Sequence, residues 1–236
     1  GGHRMSQPTY IDDFTRQFTL RPEDTALVIV DLQYASGSRE HGLGRLLAKE
    51  GRLADAEYRF ARIENLIVPN SKRLAEAFRS LGARVVYVTY GSHLPDFSDT
   101  PIHLKDWMKA IDNRAGTREH EIVDELKPLP GELVLNKTTM GAFASTGIET
   151  HLRGMGIDNI VVTGVSTNNC VGMTAMEACD RQFGVVLVSD ATGTCSDEMQ
   201  EATLKTFRRL WGRVMTTDEV VAEIGAQSRG QRRATG

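Results

Sequence analysis

Several stretches of this chain are apolar on both faces of an extended strand, and that leaves few ways for it to fold. Thr25 to Val30, Ala83 to Thr89, Ile160 to Thr163 and Val185 to Ser189 are rich in β-branched residues with no alternating polar face. A strand of that kind has to be covered on both sides, as in a parallel sheet buried between helices. Segments of helical spacing lie between the runs. Ile63, Leu66, Ile67, Leu74 and Phe78 recur at three-to-four spacing, with a kink or start at Pro69 and an end at Gly82. Further helices are expected over 119–126, 147–155, from Cys170 onward, over 197–210 and over 218–224. A strand at Glu132 to Asn136 and a short edge strand near Val214 bring the strands to six. The alternation predicts an α/β chain, a three-layer αβα Rossmann-like fold around a six-stranded parallel sheet.

With 236 residues, 40% of them hydrophobic and 25% charged, the chain suits one domain, expected over 5–228. Gly1 to Arg4, ahead of Met5, reads as an expression scar, and 229–236 as a flexible basic tail. Residues 5–21 are expected to form an arm over the body or a neighbouring subunit. Net charge is −3 with acidic and basic residues interleaved, which recommends neither a nucleic-acid nor a membrane partner. No apolar run approaches the ~18 residues of a membrane span, and no signal-peptide core is read. Three cysteines, an odd number, point to reduced thiols and a cytoplasmic protein. Two stretches, 37–58 and Tyr90 to Asn113, read as loops, the first as a lid or binding insertion. His93, His103, Asp96 and Asp99 lack metal-ligand spacing, so neither a metal nor another cofactor is expected.

Val161 to Asp180 reads as strand, sharp polar turn and helix, with Cys170 at the helix start. Free N–H groups and the positive end of the helix dipole there favour a thiolate, which makes Cys170 a candidate nucleophile. A small buried junction residue would look the same. Asp31 follows the first strand and Lys137 the third, both at the carboxyl edge where open α/β sheets bind ligands. Alone, Asp31 could be a cap or turn residue and Lys137 a surface lysine. Together with Cys170 they supply the parts of a cysteine hydrolase: nucleophile, proton carrier and positive charge.

The blocks Val30-Asp31-Leu32-Gln33, Asn136-Lys137-Thr138 with Gly141-Ala142-Phe143, and Thr163 through Val171 resemble the isochorismatase-like cysteine hydrolases. The resemblance spans about residues 20–225. It implies an Asp31–Lys137–Cys170 triad and a homo-oligomer, often a tetramer with sites near subunit interfaces. It also implies a cis peptide at Val165–Ser166 that directs the Ser166 N–H, with that of Cys170, at the substrate carbonyl oxygen. Family chemistries include isochorismate cleavage without a cysteine nucleophile and amidase action on nicotinamide, maleamate, N-carbamoylsarcosine, ureidoacrylate, biuret or triuret. Cys170 favours the amidases. Tyr90 to Asp96 lacks the Asp-x-His element of nicotinamidases, and the 37–58 insertion with Arg62 to Asn65 looks closer to the ureide enzymes.

The expectation is therefore a small amide or ureide substrate of biuret, triuret or carbamoyl-amino-acid type, with Tyr34, Glu64, Phe143 and Asn169 as pocket residues. Asn169 and Met140 depart from the family pattern and would alter pocket polarity. A maleamate- or nicotinamide-type amidase and a non-catalytic metabolite-binding member are the alternatives.

Overall fold

The computed structural model describes residues 10–234, with side chains through residue 227. The expected scar lies outside the described residues. Six strands, β1 (Thr25–Val30), β2 (Arg84–Tyr90), β3 (Leu133–Lys137), β4 (Asn159–Val165), β5 (Gly184–Gly193) and β6 (Arg213–Met215), form one parallel sheet in the order β3-β2-β1-β4-β5-β6. The helices, in chain order, are α1 (Tyr34–Gly37), α2 (Gly42–Lys49), α3 (Glu57–Arg62), α4 (Val68–Ser80) and α5 (Ile102–Ala110), then α6 (Ala142–Ser145), α7 (Ile148–Gly154), α8 (Gly172–Asp180), α9 (Asp197–Arg208) and α10 (Thr217–Ala234).

Alternate residues of β1 face opposite layers. Ala26, Val28 and Val30 pack with Leu152, Ala175 and Leu204 from α7, α8 and α9. Leu27 and Ile29 pack with Leu74, Phe78, Val220 and Ile224 from α4 and α10. Burying one such large apolar side chain contributes ~1.5–3 kcal/mol, so neither face could be left open. The αβα expectation holds. None of the described helices is long and apolar enough to cross a membrane.

Several local expectations change, each for a physical reason. Residues 119–123 do not begin a helix; only Asp124–Leu126 forms a short 3₁₀ turn. The backbone there is taken up by the chain leaving β1: Tyr34 and Ala35 donate to the carbonyls of Glu121 and Glu119, and Val123 donates to that of Leu32. The loop expected over Tyr90 to Asn113 contains α5. The 37–58 insertion is helical, with α2 seated against the turn after β1. Gly42 permits this, because it has φ +41° and a Cβ there would lie 2.2 Å from the Ala35 carbonyl oxygen. As expected, a helix starts near Pro69, which lies in the first turn of α4, although the chain runs into it from α3 without leaving a helical path. The Pro69 nitrogen has no hydrogen for the Asn65 carbonyl, and the backbone widens into a π-helical stretch, Ile63–Ile67, just before it.

β5 continues beyond Ser189, so Asp190 lies within the strand. Its Oδ1 accepts from the Thr217 N–H and hydroxyl, 2.8 Å each, at the start of α10. That helix runs on to Ala234, through most of the stretch expected as a tail. The N-terminal arm lies on the body: the Thr15 hydroxyl donates to the Arg208 carbonyl, and the Leu20 N–H to Glu223.

Candidate active site

β1 and β4 are neighbours, but the chain winds from β1 out to β3 and then returns to β4. This reversal opens a crevice at the carboxyl ends of the central strands. Asp31 leaves β1 there with φ +54°, a left-handed turn that Asp tolerates better than bulkier residues. Gln33 then ties the ends of β1 and β2 together. Its amide donates to the carbonyls of Tyr90 and His120 and accepts from the Tyr90 N–H.

From β3, Lys137 reaches beneath Tyr90, with Nζ 4.0 Å from the ring centroid and 3.0 Å from Asp31 Oδ2. Lys137 is fully buried and Asp31 is 5% exposed, so this is an interior ion pair and not a surface lysine.

β4 ends in the Val165–Ser166 peptide, which is cis. Gly164 makes the approach to β1 possible, with φ +120° and a position where a Cβ would fall 1.9 Å from the Val30 carbonyl oxygen. A π-helical turn, Thr167–Val171, follows and carries Cys170 just ahead of α8. The turn is held by its neighbours on both sides: the Thr194 hydroxyl donates to Asn168 Oδ1, and the Thr167 hydroxyl to Gln200 Oε1. The Ser166 carbonyl accepts from the N–H groups of Asn169 and Val171.

These elements enclose a cavity of 420 Å³, with Asp31 and Cys170 in its wall. Burial, and next to it Asp31, pushes the Cys170 thiol up to about 12, against the pull of Lys137. The thiolate expected from the helix start is therefore not the resting state. Burial also raises the Asp31 carboxyl above its ordinary value, with Lys137 and Cys170 opposing. For Lys137, burial disfavours the charge, yet Asp31 and Cys170 outweigh it and hold the pKa above the ordinary lysine value. Asp31 Oδ1 is buried without a hydrogen-bond partner, leaving a lone pair to receive a proton.

Asp31, Lys137 and Cys170 are thus brought together, and Ser166 and Asn169 also line the cavity. The other expected pocket residues lie elsewhere. Phe143 is in the core against Phe183, and Tyr34 and Glu64 border a second cavity on the far side of α1 and α3.

Ser36, Leu43 and Cys195 are wall residues that escaped sequence reasoning, and so are the following. Leu104, Trp107 and Ile111 come from α5 and the residue after it, with Asn113 just beyond. Leu104, Met108 and Ile111, at i, i+4 and i+7, were the available signal for that helix. Arg59 stands four and eight residues before the buried Ile63 and Ile67, a charge interrupting an apolar stripe. Nothing local marked Asn113. Among the described residues no group of three or more His, Cys, Asp or Glu is gathered as a metal site.

Fold and site together define a class: an αβα hydrolase with a cysteine, a carboxylate and a lysine converging at the topological switch of a parallel sheet. Comparison with known proteins makes this specific. A profile described as the Isochorismatase domain matches residues 25–219. The ureidoacrylate amidohydrolase RutB of Rhizobium rhizogenes is 30% identical over 223 residues, covering 87% of this chain and 85% of that one. RutB of Agrobacterium fabrum is 29% identical, covering 87% and 92%. Among solved structures, N-carbamoylsarcosine amidase from Thermoplasma acidophilum superposes with TM-score 0.61 at 28% identity, over 83% of this chain and 97% of that one. A cysteine hydrolase from Pseudomonas syringae pv. phaseolicola gives TM-score 0.74 at 23% identity, over 94% and 100%, a likeness of fold. The chain belongs to the isochorismatase family, and it is an amidohydrolase of that family.

Proposed function

We propose that this amidohydrolase cleaves a C–N bond of a small ureide through a covalent thioenzyme on Cys170. The observation that carries the reading is the buried Asp31–Lys137 ion pair at 3.0 Å, with Asp31 in the wall of a partly open cavity that also presents Cys170. Asp31 takes the thiol proton through its unpartnered Oδ1 as sulfur attacks the carbonyl carbon. The N–H groups of Ser166 and Cys170 receive the oxyanion, with Lys137 compensating negative charge nearby. The proton on Asp31 then passes to the departing nitrogen, which leaves as ammonia. A water, deprotonated by Asp31, cleaves the thioester-type intermediate and regenerates the thiol.

Because the resting thiol is protonated, the mechanism requires this coupled transfer and not a standing thiolate. Relatives named for ureidoacrylate and N-carbamoylsarcosine support a ureide over nicotinamide. Asn113 Oδ1 and the Tyr90 hydroxyl, both buried in the cavity wall without partners, suit the N–H-rich ends of such a molecule. The enzyme works in the cytoplasm as a homo-oligomer, expected as a tetramer. Light scattering tests that, and Ile102, 91% exposed on α5, is an apolar side chain such contacts would cover.

The chemical test is ammonia release from biuret, triuret, ureidoacrylate, N-carbamoylsarcosine, maleamate and nicotinamide, with Cys170→Ala as control. Ureide turnover abolished in the variant is expected. Turnover of nicotinamide or maleamate alone would reject the substrate class and keep the mechanism, whereas silence with folded protein would reject catalysis on this panel.

A further inference from the structure

Arg59 projects from α3 into the cavity wall, 8% exposed, in a setting unlike that of the other arginines. Many other arginines pair with carboxylates, as in Arg213–Glu223 at 2.7 Å and Arg79–Glu132 at 2.7 Å, or donate to carbonyls, as Arg62 does to Ser189 and Thr192, and among the described residues Arg59 is the one arginine that is buried. Arg59 has no carboxylate within ion-pair distance among the described residues. Its Nε donates to the Ser36 carbonyl at 3.0 Å, and Nη1 donates to Ser166 Oγ at 2.8 Å. A guanidinium carries five N–H donors, so even with Cys195 also within hydrogen-bond reach, donors and a charge that no adjacent carboxylate pairs are left for something else. Burial disfavours that charge, while Cys195, Cys170 and Asp31 nearby favour it. A buried cation with no adjacent carboxylate is costly to keep unless a ligand anion completes it.

The charges of the cavity point the same way. Lys137 and Asp31 cancel one another, so Arg59 leaves the cavity one positive charge in excess. Its hydrogen bonds also locate that charge. Ser36 follows β1 and Ser166 follows β4, which places the guanidinium on the Ser166 side of the cavity, while Asn113 and Tyr90 lie on the β2 side.

We propose that Arg59 is the anchor for a carboxylate on the substrate, so that the enzyme selects small anionic ureido acids over neutral ureides. The inference rests on the ureide reading and sharpens it. The anion sits a few bonds from the scissile carbonyl, because Ser166 borders both Arg59 and the proposed oxyanion position. A planar guanidinium matches a carboxylate with two parallel N–H donors, which an ammonium group cannot reproduce.

The test uses two probes that differ only at the proposed contact: N-carbamoylglycine and its neutral carboxamide, N-carbamoylglycinamide. Calorimetry with Cys170→Ala measures binding without turnover. The acid is expected to bind about ten- to a hundredfold more tightly than the amide. In Cys170→Ala/Arg59→Gln that ratio falls toward one, and in Cys170→Ala/Arg59→Lys part of it returns. A purely structural Arg59 would weaken both probes alike and leave the ratio standing, which would overturn the proposal.

Equal binding of the two probes to Cys170→Ala, or no binding of either, would also overturn it, whether or not the Gln variant folds. Ammonia release from the same pair by the intact enzyme separates this proposal from the reading beneath it. An acid bound preferentially but never hydrolysed removes the ureide reaction and keeps the anchor. Hydrolysis of both with equal kcat/KM does the reverse.

Discussion

Two cavities flank the helical segment that follows β1, and they differ in how their charges are resolved. In the outer one, Arg39 is bonded to both Glu57 and Glu64. The Tyr34 ring at its border is covered from outside the cavity by Arg118, whose charge is shared between Glu121 and Asp124. The Tyr34 hydroxyl accepts from the Asp124 N–H. Arg39 and Tyr34 there have found partners within the chain, and Glu40, Lys72 and Glu125 on the same wall are exposed to water. In the inner cavity Asp31 Oδ1, the Tyr90 hydroxyl and Asn113 Oδ1 are buried without hydrogen-bond partners, and Arg59 has no carboxylate within ion-pair distance among the described residues. Unpartnered buried polar groups cost stability, so a fold that retains several in one place retains them for a ligand. Satisfied charges around a cavity describe architecture.

The strongest way to break this contrast is to strip one partner from the inner ion pair. Lys137→Met removes the charge that opposes the burial of Asp31, so its carboxylate is left unpaired in the interior or takes up a proton. Activity should fall by at least about a thousandfold, and stability by ~3–5 kcal/mol in urea unfolding. The double variant Asp31→Asn/Lys137→Met should recover much of the stability and none of the activity. If both single and double variants keep activity, the pair belongs with the outer cavity as a structural device.

The pH dependence sharpens the same point. The proposed mechanism needs Asp31 deprotonated, and burial raises its pKa above the ordinary 3.8. The acid limb of kcat/KM should therefore lie above the usual carboxylate range, with activity falling about tenfold per pH unit below it. Since the Cys170 thiol is pushed up to about 12, its alkylation by iodoacetamide should still be climbing with pH at about pH 9, read by peptide mass spectrometry. A plateau near neutrality would restore the standing thiolate that the helix start alone suggests.

A smaller effect tests the framework that holds the inner site. Gly164→Ala places a methyl group against the Val30 carbonyl, at a φ that L-residues rarely adopt. A loss of at least about 2 kcal/mol is expected by thermal unfolding. Retention of wild-type stability would mean that β1 and β4 can separate without disturbing the turn that carries Cys170.

The fold was legible because it rests on a local signal. Runs such as Thr25 to Val30 have no polar face, and only a doubly covered parallel sheet accommodates them. Asp31, Lys137 and Cys170 were legible for the same reason, since each falls at or a few residues beyond the carboxyl end of a strand. The pocket walls were not. Tyr34 and Glu64 stand close in sequence to Asp31 and to α3, but the turn of the helical segment carries them to the outer cavity. Arg59 faces inward from the same segment, and what distinguishes it, the absence of a carboxylate nearby, is a property of three-dimensional neighbours. The thiol was misjudged for a related reason: a helix start favours a thiolate, but the burial that opposes it depends on β1, β2 and α5 closing over Cys170.

The gentlest test lies in the outer cavity. Glu64→Gln removes one of two carboxylates from Arg39 and leaves the Glu57 pair intact at the surface. Exposed ion pairs contribute ~0–1 kcal/mol, so stability should move by less than that. Tyr34→Phe removes a single hydroxyl that accepts from a backbone N–H, at a comparable cost of about 1 kcal/mol. With neither residue in the wall of the inner cavity, kcat/KM for whichever ureide the enzyme turns over should change by less than about twofold, within the range of remote surface substitutions. A tenfold loss in either variant, with folding unchanged, would show that the two cavities communicate. The rule that paired charges mark architecture would then fail for this protein, because Arg39 and its carboxylates would be holding α3, and Arg59 with it, in position for the substrate.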